Sequence, residues 1–73
     1  MNIKKQFGKR LKELRLQKEL TQMELSFRTE INRNYLSDVE LGRRNIGIKN
    51  IEKLAKGLEI EIWELFLYYN NQK

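Results

Sequence analysis

Residues 21–42 read TQMELSFRTEINRNYLSDVELG, and the fold turns on how they are divided. Thr21 and Glu24 stand in the T-x-x-E spacing of a capping box, so a helix is expected to begin at Gln22. Met23, Leu25 and Phe27, with the small Ser26, are expected on its inward face. The pattern breaks at Thr29 and Glu30. Ile31 follows as an apolar anchor, and Asn32 suits the N-cap of a second helix. That helix is expected to turn Tyr35, Leu36 and Val39 inward. It should stop at Gly42, a residue fitted to the left-handed position beyond a helix C-terminus. Outward, its first turn carries Arg33 and Asn34, with Ser37 and Asp38 one turn further on.

On the N-terminal side, Ile3, Phe7, Leu11 and Leu14 recur at helical spacing, which predicts a first amphipathic helix over about 3–18. Lys4, Lys5, Lys9, Arg10, Lys12, Arg15 and Lys18 occupy its other faces, and Leu20 is expected to return to the core. On the C-terminal side, Arg43-Arg44-Asn45 is too polar to be core. Ile48, Ile51, Leu54, Ala55 and Leu58 then predict a helix over about 48–57, with Gly47 at its N-cap. A fifth helix is expected over about 62–69. The whole is expected to be one domain, residues 1–73, with helices near 3–18, 22–29, 33–41, 48–57 and 62–69.

The totals narrow the function. With no cysteine and no histidine, disulfides and the usual zinc ligand sets are excluded; a hard cation held by carboxylates has no clustered spacing behind it. No Gly-rich phosphate loop is present and the carboxylates are scattered over helix surfaces, so no catalytic residue, cofactor or metal is expected, and an enzyme is not the reading. The apolar runs are far too short to span a membrane, and the N-terminus lacks the apolar core of a signal peptide; the expected location is the cytoplasm, in association with the nucleoid. A net charge of +5 suits a polyanion. Its distribution says more than its size. Residues 1–49 hold twelve Lys/Arg against six Asp/Glu, and residues 50–73 hold three against four. The basic excess therefore belongs to the part containing the two short helices. Two helices, a tight turn and donor side chains at the front of the second describe a unit that reads a DNA groove.

With these residues placed, the chain resembles the lambda-repressor/Cro-like helix-turn-helix family, an all-α, five-helix fold with the DNA-reading pair at helices 2 and 3. Within the family it looks most like the controller proteins of restriction–modification systems. The blocks that carry the likeness are LKELR at 11–15, TQMELS at 21–26, NRNYLSDVELGRRN at 32–45 and IEKLAKGLEI at 51–60. The resemblance implies a homodimeric transcriptional regulator binding double-stranded DNA at a two-fold symmetric operator, with half-sites on the order of 34 Å apart. For a controller it implies binding to its own promoter region, activation at low occupancy, and repression once a second dimer loads. No small-molecule ligand is implied.

Position by position, the resemblance makes Arg33, Asn34, Ser37 and Asp38 base-reading candidates; an arginine fits the O6/N7 edge of guanine. Asp38 could accept from cytosine or instead orient Arg33. The same likeness makes Gln22, Tyr35, Arg43, Arg44 and Asn45 phosphate contacts, and a helix N-terminus at Gln22 favours an anion on physical grounds. Arg15 and Glu40 match a structural ion pair between the first and third helices. Glu19 and Glu30 depart from the family, which usually carries Gly at both places. In the left-handed conformation each is expected to carry strain of about 1 kcal/mol or less. Ser26 replaces the usual Ala, and Glu61 stands where a Ser-like cap is common.

Four of the seven aromatics, Trp63, Phe66, Tyr68 and Tyr69, crowd the last predicted helix. One face is expected to hide Ile62, Leu65, Phe66 and Tyr69. Trp63 and Leu67, one α-helical turn apart, then point elsewhere and are the expected centre of a dimer interface. The rival reading is an antitoxin-like or phage-type repressor whose C-terminal helix binds a protein partner.

Overall fold

The computed structural model describes residues 2–68. These residues form four α-helices and one short 3-10 helix, with no strand among them: α1 Ile3–Gln17, α2 Gln22–Thr29, α3 Arg33–Glu40, α4 Ile48–Leu58 and the 3-10 turn Ile62–Phe66. Side chains cap three of the four α-helices. Asn2 caps α1 by accepting from the Lys5 N–H at 3.2 Å. Thr21 and Glu24 close the expected capping box on α2, with Thr21 Oγ1 accepting from Glu24 N at 3.0 Å and Thr21 N donating to Glu24 Oε1 at 2.8 Å. Gly47, extended at φ −81°, begins α4 without a side-chain cap.

Three of the four helix ends share one construction. Beyond α1, Glu19 N–H bonds back to Leu16 O at 2.9 Å and Leu20 N–H to Arg15 O at 3.0 Å. Gly42 and Arg43 repeat this pair of bonds after α3, and Glu59 and Ile60 repeat it after α4. These are the nested bonds that satisfy the last carbonyls of a helix when the following residue is left-handed. That residue is Glu19 (φ 58°), Gly42 (φ 76°) and Glu59 (φ 59°) in turn. Glu30 (φ 61°) closes α2 with a single bond to Ser26 O at 2.8 Å. Glu19 and Glu30 thus carry the strained conformation anticipated for them, and Glu59 is a third glutamate in it.

The core is Phe7, Leu11, Leu14, Leu20, Leu25, Ile31, Leu36, Val39, Leu54, Ala55, Leu58 and Leu65. Several expected members are outside it. Met23 is exposed and Phe27 is 78% exposed. Residues two apart on a helix diverge by about 200°, so a face that buries Leu25 and Thr29 turns positions 23 and 27 to water. Ile3 is exposed because the buried stripe of α1 begins a turn later, at Phe7. Ile48 is 81% exposed, because α4 faces the core through Leu54, Ala55 and Leu58 near its C-terminal end.

The last element also differs from expectation. Instead of an α-helix over 62–69, residues Ile62–Phe66 make a 3-10 turn that Leu67 ends at ψ 89°; Tyr69 lies outside the described residues. With three residues per turn, Trp63 shares its face with Phe66 rather than with Leu67. Only Leu65 is fully buried, while Ile62 and Phe66 remain substantially exposed. The element is fastened to α1 by the buried Arg10, whose Nε donates to Glu64 O at 2.9 Å, and by the Phe7 and Phe66 rings, 5.2 Å apart.

Helix α1 approaches the end of α3 at Gly8, where a Cβ would fall on the carbonyl oxygens of Val39 and Glu40. Backbone atoms cannot yield as a flexible side chain does. Gly8→Ala should therefore destabilise the fold by about 1–3 kcal/mol, the usual range for overpacking, read as a lower midpoint in urea unfolding.

Candidate nucleic-acid interface

The turn between α2 and α3 is held by side chains as much as by backbone. Thr29 Oγ1 donates to Leu25 O at 2.8 Å and accepts from Ile31 N at 3.2 Å. Ser26 Oγ donates to Ile31 O at 2.6 Å, so the hydroxyl that replaces the family's usual methyl secures the turn. Ile31 is buried and fixes the chain at that point. Asn32 then accepts from Asn34 N at 2.7 Å and Tyr35 N at 3.3 Å, which caps α3 and sets its direction.

Leu36 and Val39 are buried on the inner side of α3. Arg33 and Asn34 are exposed in its first turn, and Ser37 and Asp38 are half-buried one turn further. Spacings of four put Arg33 with Ser37, and Asn34 with Asp38, on adjoining strips of one surface. No ion pair or hydrogen bond joins Asp38 to Arg33 among the described residues, so Asp38 does not orient that arginine in the free protein. Tyr35 is half-buried against the core, and the Arg44 guanidinium carbon lies 4.4 Å from its ring centroid. That cation–π contact holds a loop arginine beside α3. Arg43, Arg44 and Asn45 are all exposed in the loop that follows.

Beneath this surface lies a buried polar junction. Arg15 Nε donates to Glu40 Oε2 at 2.7 Å and Arg15 Nη2 to Glu40 Oε1 at 3.0 Å, a two-pronged pair; Arg15 Nη1 also donates to Leu20 O at 2.8 Å. Both side chains are under one-tenth exposed. Gln22 Nε2 donates to the same Glu40 Oε1 at 3.0 Å. One carboxylate therefore joins α1, the first residue of α2 and the last residue of α3. On the far side of α2, Arg28 Nη1 reaches Gly57 O at 3.2 Å.

The Arg15–Glu40 pair was legible from the family likeness. Its extension to Gln22 was not, nor were the Arg44–Tyr35 contact and the Arg10 and Arg28 bonds to distant carbonyls. Each depends on how residues nine or more apart are brought together, for which local sequence carries no signal. Among the described residues, no group of three or more His, Cys, Asp or Glu side chains gathers in a way that could hold a metal ion, and no helix is long and apolar enough to cross a membrane.

The pattern described as "Helix-turn-helix" matches residues 11–65, from within α1 to within the 3-10 turn. The chain belongs to the helix-turn-helix family. Within the family it is 41% identical over 66 residues to the control protein C.MunI of a Mycoplasma species, covering 89% of each chain. The crystal structure of the restriction–modification controller protein C.AhdI from Aeromonas hydrophila superposes with a TM-score of 0.88 at 45% identity, covering 90% of this chain and 100% of that one. The controller C.Esp1396I, solved as a tetramer in complex with its natural 35-base-pair operator, superposes with a TM-score of 0.83 at 32% identity, covering 90% of this chain and 87% of that one. This helix-turn-helix chain stands among the restriction–modification control proteins, which are DNA-binding transcription regulators.

Because α3 has only eight residues, its first turn depends on the Asn32 cap. Asn32→Ala should lower stability by about 1 kcal/mol in denaturant unfolding. It should also raise amide exchange at Asn34 and Tyr35, whose N–H groups lose their acceptor, more than at Val39.

Proposed function

We propose that this chain regulates transcription as a homodimer on DNA, in the manner of a restriction–modification controller acting on its own promoter region. The observation that carries the reading is the capped first turn of α3, which holds Arg33 and Asn34 in solvent on a helix anchored by Leu36 and Val39. A helix fixed on one side and furnished with an arginine and an amide on the other is equipped to enter a major groove. Arginine pairs with guanine O6/N7 and asparagine with adenine N6/N7. Ser37 and Asp38 extend the reading surface. Gln22, Tyr35, Arg43, Arg44 and Asn45 hold the phosphates that set register. The C.Esp1396I tetramer on its operator supports the further step in which two dimers occupy one regulatory region.

The dimer is built through the apolar surface of the 3-10 turn. Trp63 is 63% exposed, with Ile62, Phe66 and Leu67 exposed around it. Such a cluster on one side of a small domain is characteristic of a contact surface, and a two-fold axis through it would bring like residues together. Two α3 helices related by that axis would meet half-sites on the order of 34 Å apart. The place of action is the cytoplasm, where the DNA is, and no catalytic step belongs to the role.

Arg33→Ala should weaken operator binding by roughly 1–3 kcal/mol and relax preference at one base pair per half-site, measured by fluorescence anisotropy on operator and random duplexes. An equal loss on random DNA would make Arg33 a phosphate contact instead. A charge placed at the centre of the apolar surface, Trp63→Asp, should convert dimers to monomers in analytical ultracentrifugation. Dimers that persist would move the interface elsewhere, and a wild-type monomer would leave the surface to a different protein.

A further inference from the structure

The buried carboxylate of Glu40 lies directly under the residue assigned to phosphate at the start of α2. An ionised carboxylate only accepts hydrogen bonds. It can therefore bind Gln22 through Nε2 and never through Oε1, and the 3.0 Å contact has that sense. One of the two Nε2 hydrogens is used. The other stays with a partly exposed side chain at the N-terminus of an eight-residue helix, where the first N–H groups have no intrahelical acceptor. Were the amide turned over, its oxygen would take the place of that donor and oppose an anion. A bare carboxylate so near a phosphate would repel it. Here the two-pronged contact with Arg15 offsets the charge, at 2.7 and 3.0 Å.

We propose that Glu40 is a positioning residue for DNA: it sets the amide of Gln22 with its nitrogen available to phosphate, and Arg15 makes that carboxylate tolerable beside the DNA. The role rests on the reading of Gln22 as a phosphate contact. Glu40 thereby links the packing of α1 against α3 to the readiness of α2 to bind the backbone.

The test is a double-mutant cycle of Gln22→Ala and Glu40→Gln, with affinity measured on the DNA upstream of the chain's own gene and on a random duplex. Circular dichroism identifies the temperature range in which every variant is folded. Gln22→Ala should weaken binding on both DNAs by roughly ten- to a hundredfold, the scale of one hydrogen bond to a charged group. Glu40→Gln removes a negative charge, so simple electrostatics makes binding tighter; positioning makes it weaker, by an amount close to that of Gln22→Ala. In the Gln22→Ala background, Glu40→Gln should add no further loss.

Tighter or unchanged binding by Glu40→Gln overturns the proposal, as does an equal loss in both backgrounds, which assigns Glu40 to the fold alone. If Gln22→Ala binds as the wild type while the wild type prefers its upstream DNA, the positioning role falls and the DNA-binding function stands. If the wild type shows no such preference, both fall. Should Glu40→Gln fail to fold, NMR of the wild-type side-chain amides decides. The Gln22 amide should be protected from exchange relative to that of the exposed Gln17, and should shift on adding DNA; resonances that behave like those of Gln17 overturn the proposal.

Discussion

A single carboxylate holds this molecule in its working shape. Glu40 ends α3, receives both prongs of Arg15 from α1, and accepts from Gln22 at the start of α2. Because the Arg15 and Glu40 side chains are nearly excluded from water, the pair is stabilising only while complete. Removing one partner of such a pair leaves a buried charge and typically costs about 3–5 kcal/mol, although replacing both with well-packed apolar groups can be neutral. What the pair adds is geometry. Three helix ends meet at one point, and the angle between α2 and α3 follows from it together with the turn at Ser26, Thr29 and Ile31.

The helices need that help. Two of the four have eight residues, a length at which an isolated helix barely forms in water. Their stability comes from packing around Leu11, Leu25, Leu36, Leu54, Leu58 and Leu65, all fully buried, and from well-satisfied ends. Glutamates occupy three of the four left-handed positions after helices, where a glycine is less strained. The nested backbone bonds at Glu19 and Glu59 persist despite that strain because Leu20 and Ile60, the next residues, pack on the core.

Much of this was legible in the residues themselves. The capping box at Thr21 and Glu24, the Asn32 cap, the stop at Gly42 and the bounds of α1 to α4, each within a residue, follow from local chemistry, which acts over one turn. The family likeness supplied the Arg15–Glu40 pair. Where the reading went astray, the cause was tertiary or geometric. Met23 and Phe27 look like core by composition, but Leu25 and Thr29 already define the inner face of α2. The aromatic-rich end looked like a full α-helix, yet the described part is a 3-10 turn, in which Arg10 takes up a backbone carbonyl and Trp63 aligns with Phe66. The Gln22 side chain could not be placed against Glu40 from sequence, since eighteen residues and a helix crossing separate them.

The charge distribution and the apolar turn distinguish the two ends of the sequence. Basic residues gather in the part carrying α1 to α3, and exposed apolar residues gather at Ile62–Leu67. In the proposed account, one end meets DNA and the other a second copy of the chain. The most direct test is binding of the purified protein to the DNA upstream of its own gene, alongside a random duplex of equal length, at physiological salt. The account predicts a preference of about a thousandfold or more, with occupancy rising in steps of one dimer. Weak binding of equal strength to both duplexes would contradict it.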